Sequence, residues 1–134
     1  MAWRGRCWRV SLVSHDRQTL GKIGEDLACR ELERRGYAIV ARRYRRRGGE
    51  LDIIARDGPT IVFVEVKARA GRRFGGAVEA VTGLKRRRMA KLALDYLARQ
   101  HLANCPCRFD VVSILFEAGH STIEVFQNAF DVPS

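Results

Sequence analysis

GGELDIIARDGPTIVFVEVKAR, residues 48–69, is the stretch on which the fold turns. Leu51 to Arg56 and Ile61 to Lys67 are rich in β-branched and aromatic residues and are bounded by Gly and Pro, so they read as two strands. Asp57-Gly58-Pro59-Thr60 carries turn chemistry. Pro59 has no N–H to give a ladder and belongs in the loop. A four-residue loop sets Arg56 opposite Ile61, Asp52 opposite Glu65 and Glu50 opposite Lys67. Opposed residues share a face, with Cβ atoms about 4.5–5.5 Å apart, and side chains alternate along a strand. One face is then apolar, with Leu51, Ile53, Ala55, Val62, Val64 and Val66. The other holds Ile54, Ile61 and Phe63 near the turn, and Glu50, Asp52, Glu65 and Lys67 at the far end. A two-residue loop at Asp57-Gly58 slides the pairing but keeps the faces.

Two carboxylates opposed in this way repel. At about 4 Å and an effective dielectric near 20 the penalty is roughly 4 kcal/mol. A fold removes such a pair, protonates one member or supplies a cation. Lys67 is one candidate cation, and a divalent metal that prefers hard oxygen ligands, Mg²⁺ or Mn²⁺, is another. The residues alone leave open a plain solvated ion cluster, with Lys67 paired to Glu50 or Glu65.

The chain has 134 residues, of which 46% are hydrophobic. That is enough for one domain with a real core and excludes a disordered chain. A net charge of +10, carried mainly by arginine, points to a polyanionic partner, nucleic acid before membrane. No stretch has the run of apolar residues that a membrane span needs. The N-terminus is basic but lacks the apolar core of a secretory signal, so a cytoplasmic location with free cysteines is expected. Cys29 falls in a helical pattern as a small apolar filler. Cys105-Pro106-Cys107 with His101 is poorly spaced for zinc.

Residues 1–16 form a basic N-terminal extension, either loosely ordered or an extra strand through Val10-Ser11-Leu12-Val13. Residues 17–134 form the domain. Thr19 is placed to cap a helix running to Arg35, with Leu20, Ile23, Leu27, Ala28 and Leu32 as its apolar arc. Glu25 lies at the edge of that arc and can lean toward a sheet. Gly21 and Gly24 are costly in a helix and make sense where a backbone passes close to something. Gly36 ends the helix. Tyr37 to Ala41 reads as a short strand. Arg42, Arg43, Arg45, Arg46 and Arg47 flank Tyr44, and such a cluster suits phosphates, which arginine grips bidentately. Arg69 to Gly76, with Arg72 and Arg73, reads as a Gly/Arg loop. Thr82 caps a helix to about Leu102, with a buried stripe of Met89, Leu92, Ala93, Tyr96 and Leu97. Lys85, Arg86, Arg87, Arg88 and Lys91 crowd its first turns, where positive charge opposes the helix dipole. Arg108 to Leu115 and Thr122 to Phe126 are strands around a turn at Glu117-Ala118-Gly119-His120. Asp110 is a core-edge acid or an outer acid of the site.

This order of elements, with Asp52 and Glu65-x-Lys67 on the hairpin, resembles the restriction-endonuclease-like nuclease core. The segments GKIGEDLA (21–28), GGELDIIARDG (48–58), FVEVKAR (63–69), AVTGLKRRRMAKLALDYL (80–97) and RFDVV (108–112) resemble the YraN-like family of small bacterial proteins. Residues 17 to about 130 share the likeness. The resemblance implies an α/β, restriction-endonuclease-like fold with a central mixed β-sheet flanked by helices. It also implies a relation to archaeal Holliday junction resolvases, in which a helix Glu, a strand Asp and the Glu and Lys of E-x-K form the metal site. By motif position these are Glu25, Asp52, Glu65 and Lys67.

The implied activity is Mg²⁺- or Mn²⁺-dependent cleavage of DNA, with branched or distorted duplex as candidate substrates. Glu25, Asp52 and Glu65 hold metal, with the Val66 carbonyl as a further candidate, and Lys67 orients water or meets the developing charge. Arg42, Arg43, Arg45, Arg46, Arg47, Arg69, Arg72, Arg73, Lys85, Arg86 and Arg87 carry the phosphodiester backbone. The alternative is a nucleic-acid-binding module of the same fold that cleaves little or nothing. Junction-cutting relatives work in pairs, so a homodimer is also expected. The chain departs from the family pattern at Leu51, where others carry proline, and at Ala68, where many carry a hydroxyl residue.

Overall fold

The computed structural model describes residues 2–9, 17–70 and 81–131. Arg72, Arg73 and the segment Val10-Ser11-Leu12-Val13 lie outside the described residues. The elements in chain order are β1 (Ala2–Arg9), α1 (Arg17–Arg34), β2 (Ala38–Arg46), β3 (Gly49–Asp57), β4 (Thr60–Ala70), α2 (Gly83–Arg99), β5 (Cys107–Glu117) and β6 (His120–Phe130). The six strands form one mixed sheet in the order β1-β6-β5-β4-β3-β2. Here β4 and β5 run parallel, joined by the α2 crossover that a parallel pair requires. The other pairs are antiparallel. The architecture is the expected α/β one, a central mixed β-sheet flanked by helices. The N-terminal extension does supply a strand, at Ala2–Arg9 and paired to β6. No described helix is long and apolar enough to cross a membrane.

The two faces of the sheet are buried under different helices. Leu27, Ala28, Cys29 and Leu32 of α1 pack on Ile53, Ala55, Val62, Val64 and Val112. Met89, Leu92, Ala93, Tyr96 and Leu97 of α2 pack on Ile54, Ile61, Phe63 and Phe109, the stripe expected from the helical period. Phe63 stands edge-on to Tyr96 with centroids 6.1 Å apart, and Phe109 stacks on Phe130 at 5.0 Å. Such aromatic geometries add to plain area burial.

The β3–β4 hairpin keeps its expected register, Arg56 facing Ile61. Its turn is tighter than a four-residue loop, because Asp57 pairs with Thr60 and only Gly58-Pro59 spans the gap. Gly58 has φ +59, which suits the first central position of a two-residue hairpin turn.

Several expectations give way. Thr19 does not begin the first helix, which starts at Arg17. Strand β2 continues to Arg46, so Arg42, Arg43, Arg45 and Arg46 lie on an edge strand. Arg69 is likewise in β4, paired with Leu115. The second helix ends at Arg99.

The largest departure is Leu51, which joins the α2 face with Ile54 while Ile53 faces α1. The cause is a break in alternation. Arg42 pairs with Ile53 and Tyr44 with Leu51, but Arg43 and Asp52 between them form no pair. Arg43 has φ +52, a left-handed conformation unusual for a non-glycine residue, and it reverses the side-chain alternation. At the turn end of the hairpin, fully buried Asp110 accepts from Tyr37 Oη at 3.1 Å, Arg108 Nε at 3.1 Å and the Asn128 N–H at 2.9 Å. Arg108 also donates to Asp57 at 2.8 Å. Asp110 is therefore a core-edge acid that ties the turn end of the hairpin to β5 and β6.

Gly24 sets the distance between α1 and the sheet. A Cβ built there lies 2.7 Å from Ala68 Cβ on β4, and neither atom can swing away. The same test at Gly21 finds nothing within 4 Å. The two glycines therefore predict opposite signs. Gly24→Ala destabilises by about 1–3 kcal/mol from overpacking. Gly21→Ala, a helix position with open space, stabilises by about 0.5–1 kcal/mol. Urea unfolding midpoints of the two variants decide it, and two shifts of the same sign contradict the account.

Candidate active site

The site lies where β3 parts from β4. The ladder between them runs from the turn to Ile53 opposite Val64 and stops. One residue farther on, the Asp52 carboxylate takes over the next donor of β4: the Val66 N–H donates to Asp52 Oδ2 at 2.8 Å. A side chain thus replaces a backbone carbonyl, which satisfies the Val66 N–H while β3 turns away. Asp52 and Glu65 come together as the register requires, close enough for each carboxyl to act on the other. Removal from water pushes the Asp52 carboxyl up to about 8, helped by the neighbouring Glu65 carboxyl. The pair holds a proton that an ordinary aspartate gives up.

Two ammonium groups face Glu65, which is 3% exposed. Lys67 Nζ stands 3.8 Å from Glu65 Oε2, and Lys85 Nζ, from the first turn of α2, makes a closer ion pair with the same oxygen. Oε2 is sealed from solvent and has no well-formed hydrogen bond. Its company is charge rather than directed donors. Burial and the neighbouring Lys85 charge lower the Lys67 pKa. Burial also works against the Lys85 ammonium, but Glu65 outweighs it and raises the Lys85 pKa.

Glu25 leans toward the sheet and is 7% exposed, but its partners are arginines of β2. Arg42 Nε donates to Glu25 Oε1 at 3.0 Å and Arg43 Nε to the same atom at 3.3 Å. Arg42 also bridges to Asp26 at 2.6 Å. Glu50 does not pair with Lys67. It accepts from Arg45 Nε at 2.7 Å, because the break at Asp52 brings Glu50 opposite Arg45 on β2. Arg46 lies over the Tyr44 ring at 5.3 Å and 3.6 Å from Asp95. Arg86 is a packing residue: its Nε donates to the Val81 carbonyl at 2.9 Å and its guanidinium covers the Phe130 ring at 5.1 Å. Arg47, Arg87 and Arg88 are exposed.

Glu25, Glu50, Asp52 and Lys67 nevertheless line one cleft of about 930 Å³, together with Lys22, Arg43, Arg45 and Arg69. A second cleft of about 450 Å³ adjoins it across Glu50 and Asp52 and is lined by Glu65, Thr82, Lys85 and Arg88. Asp52 therefore opens on both sides. Among the described residues, no three His, Cys, Asp or Glu side chains stand close enough together to hold a metal ion. The pair in place, Asp52 and Glu65, offers hard oxygen donors once Asp52 gives up its proton, and this suits a Mg²⁺-like cation. Lys85 was assigned to the nucleic-acid surface on sequence grounds. The signal of its inward role was present in the basic first turn of a helix that has no acid there.

The family described as "Uncharacterised protein family UPF0102" matches residues 24–114. A UPF0102 protein of Geobacter metallireducens is 48% identical over 120 residues, covering 90% of this chain and 98% of that one. The Symbiobacterium thermophilum UPF0102 protein STH1475 is 50% identical, covering 83% and 95%. A UPF0102 protein of Nocardia farcinica is 53% identical, covering 81% and 85%. Among solved structures, the Ca²⁺ complex of Pyrococcus furiosus SfsA aligns with a TM-score of 0.40 at 17% identity. That alignment covers 84% of this chain and 64% of the SfsA chain, so the chain spans less than two thirds of that protein.

The state of Asp52 predicts a pH dependence. Its carboxyl ionises near 3.8 when unperturbed and near 8 in the fold. Between those values the folded state binds more protons than the unfolded one, so stability falls as pH rises. The contribution is fully present below the lower value and is gone above the upper one. In chelator, the urea midpoint of the wild type drops across this window, and Asp52→Asn flattens the drop. A variant that retains the full wild-type slope contradicts the assignment.

Proposed function

The chain belongs to the uncharacterised protein family UPF0102, and from that premise we propose that it is a divalent-metal-dependent endonuclease acting on DNA, branched or distorted duplex included. The observation that carries the reading is half-buried Asp52 set beside buried Glu65, the Asp52 carboxyl opening onto clefts lined by basic side chains. A pair of acids kept together at a cost invites a cation that makes both of them useful.

Asp52 and Glu65 would hold the metal, with Glu25 completing the set once it leaves Arg42 and Arg43. A bound Mg²⁺ supplies a water of lowered pKa and neutralises charge on the phosphodiester. Asp52 must lose its proton for this role. Lys67, half-buried beside Glu65, is placed to donate to an oxyanion or to hold a water in line. Arg43, Arg45 and Arg69 on one side and Arg88 on the other flank the acids and would take the phosphates of the strand. The described side chains flanking the acids are mainly basic, which suits contact with phosphates, so backbone and shape would be the recognition elements.

A second reading has its own support. Glu25 is fully engaged by arginines and the described residues hold no three-ligand cluster, as suits a module that binds nucleic acid and cleaves little.

Two measurements test these readings. With Mg²⁺ or Mn²⁺, the wild type nicks plasmid or cuts a synthetic four-way junction, while Asp52→Ala and Lys67→Ala lose at least about 10²-fold in rate, the scale of a deleted charge-stabilising group. Equal trace activity in all three removes the nuclease reading. Binding of the same junction weakens with salt in either reading. Arg88→Ala reduces the slope of log K against log salt by about 0.9, one phosphate contact. An unchanged slope takes Arg88 off the nucleic-acid path.

A further inference from the structure

The first turn of α2 runs against ordinary helix electrostatics. A helix N-terminus carries partial positive charge and favours acids, and a Thr N-cap is commonly matched by Glu or Gln three residues later. Thr82 is the N-cap, but the residue three later is Lys85, and the turn contains no acid. The Lys85 N–H still donates to Thr82 Oγ1 at 3.3 Å. The anion comes from another element: Glu65 of β4 takes the Lys85 ammonium on Oε2. Lys67 stands farther from that oxygen, at 3.8 Å.

We infer that Lys85 is the chain's own stand-in for the divalent cation, so that metal binding at Glu65 is an exchange in which the Lys85 ammonium leaves. The inference rests on the reading of Asp52 and Glu65 as metal ligands. An ammonium and a divalent cation ask the same of a buried carboxylate, opposite charge at contact distance, and they repel each other there. One sealed oxygen does not hold both. Lys67 is fixed on β4 beside the acids, whereas Lys85 reaches in from a helix terminus and has somewhere to go: it borders the second cleft, next to Arg88. Exchange also withdraws the one anion that, among the described residues, pairs with the first turn of α2, so that this turn loosens when metal binds.

The experiment counts free Mn²⁺ by electron paramagnetic resonance during titration of wild type, Lys85→Met and Lys85→Gln. Removal of the competing ammonium tightens Mn²⁺ binding by about tenfold, the equivalent of one pKa unit. Equal or weaker binding by the folded variants overturns the exchange and leaves the metal site standing. No binding by any of the three proteins overturns the metal site and the exchange together. A measurement on the unaltered chain guards against variants that do not fold. Hydrogen exchange in the segment 82–90 becomes faster on adding Mg²⁺ if Glu65 lets go of α2, and protection that stays constant or rises in a protein that binds Mn²⁺ overturns the proposal.

Discussion

Two carboxylates held side by side in a half-buried setting are the constraint to which the rest of the structure answers. Asp52 and Glu65 repel when both are ionised, and the fold meets this in three ways. Asp52 keeps its proton to about pH 8. The Val66 N–H donates to Asp52 Oδ2. Lys67 and Lys85 bring positive charge to Glu65. Each of these would be unnecessary with one apolar substitution, and a purely structural hairpin would gain stability from it. Under the proposed function, a pair kept under such terms serves a charged ligand and not the folding of the chain.

The scaffold delivers the pair by local departures from regular structure. Arg43 in a left-handed conformation reverses the alternation of β2 and β3, which turns Leu51 into the α2 core and leaves Asp52 free to reach across to β4. The missing side chain of Gly24 lets α1 settle onto Ala68 and brings Glu25 to the edge of the same cleft. The result places acids from a helix and two strands around two adjoining clefts, and each of them except Asp52 is already engaged by a basic group of the chain. Glu25 with Arg42 and Arg43, Glu50 with Arg45, and Glu65 with Lys85 make a set of internal pairs, which under the proposed function metal and phosphate together would replace.

Much of this was legible in the sequence because it depends on local periodicity. Alternation and turn residues placed Asp52 beside Glu65, and the helical period placed Met89, Leu92, Ala93, Tyr96 and Leu97 in the core. Leu51 was misplaced because its face is decided by a side-chain-to-backbone bond and by the φ of Arg43, neither of which alternation records. Glu50 was matched to Lys67 for the same reason. The arginines of β2 were read apart from any strand because charge masked the strand pattern of an exposed edge, where basic residues are common. The contact between Lys85 and Glu65 spans a parallel crossover, and only the electrostatic conflict at the start of α2 hinted at it.

Anomalous scattering from crystals of the protein soaked in Mn²⁺ tests the central claim most directly. The account predicts a peak within coordination distance of both Asp52 and Glu65, with the Lys85 ammonium withdrawn from Glu65 Oε2. Density that shows the Lys85–Glu65 ion pair intact and no peak between the two carboxylates, at Mn²⁺ concentrations that saturate other hard-oxygen sites, would contradict it.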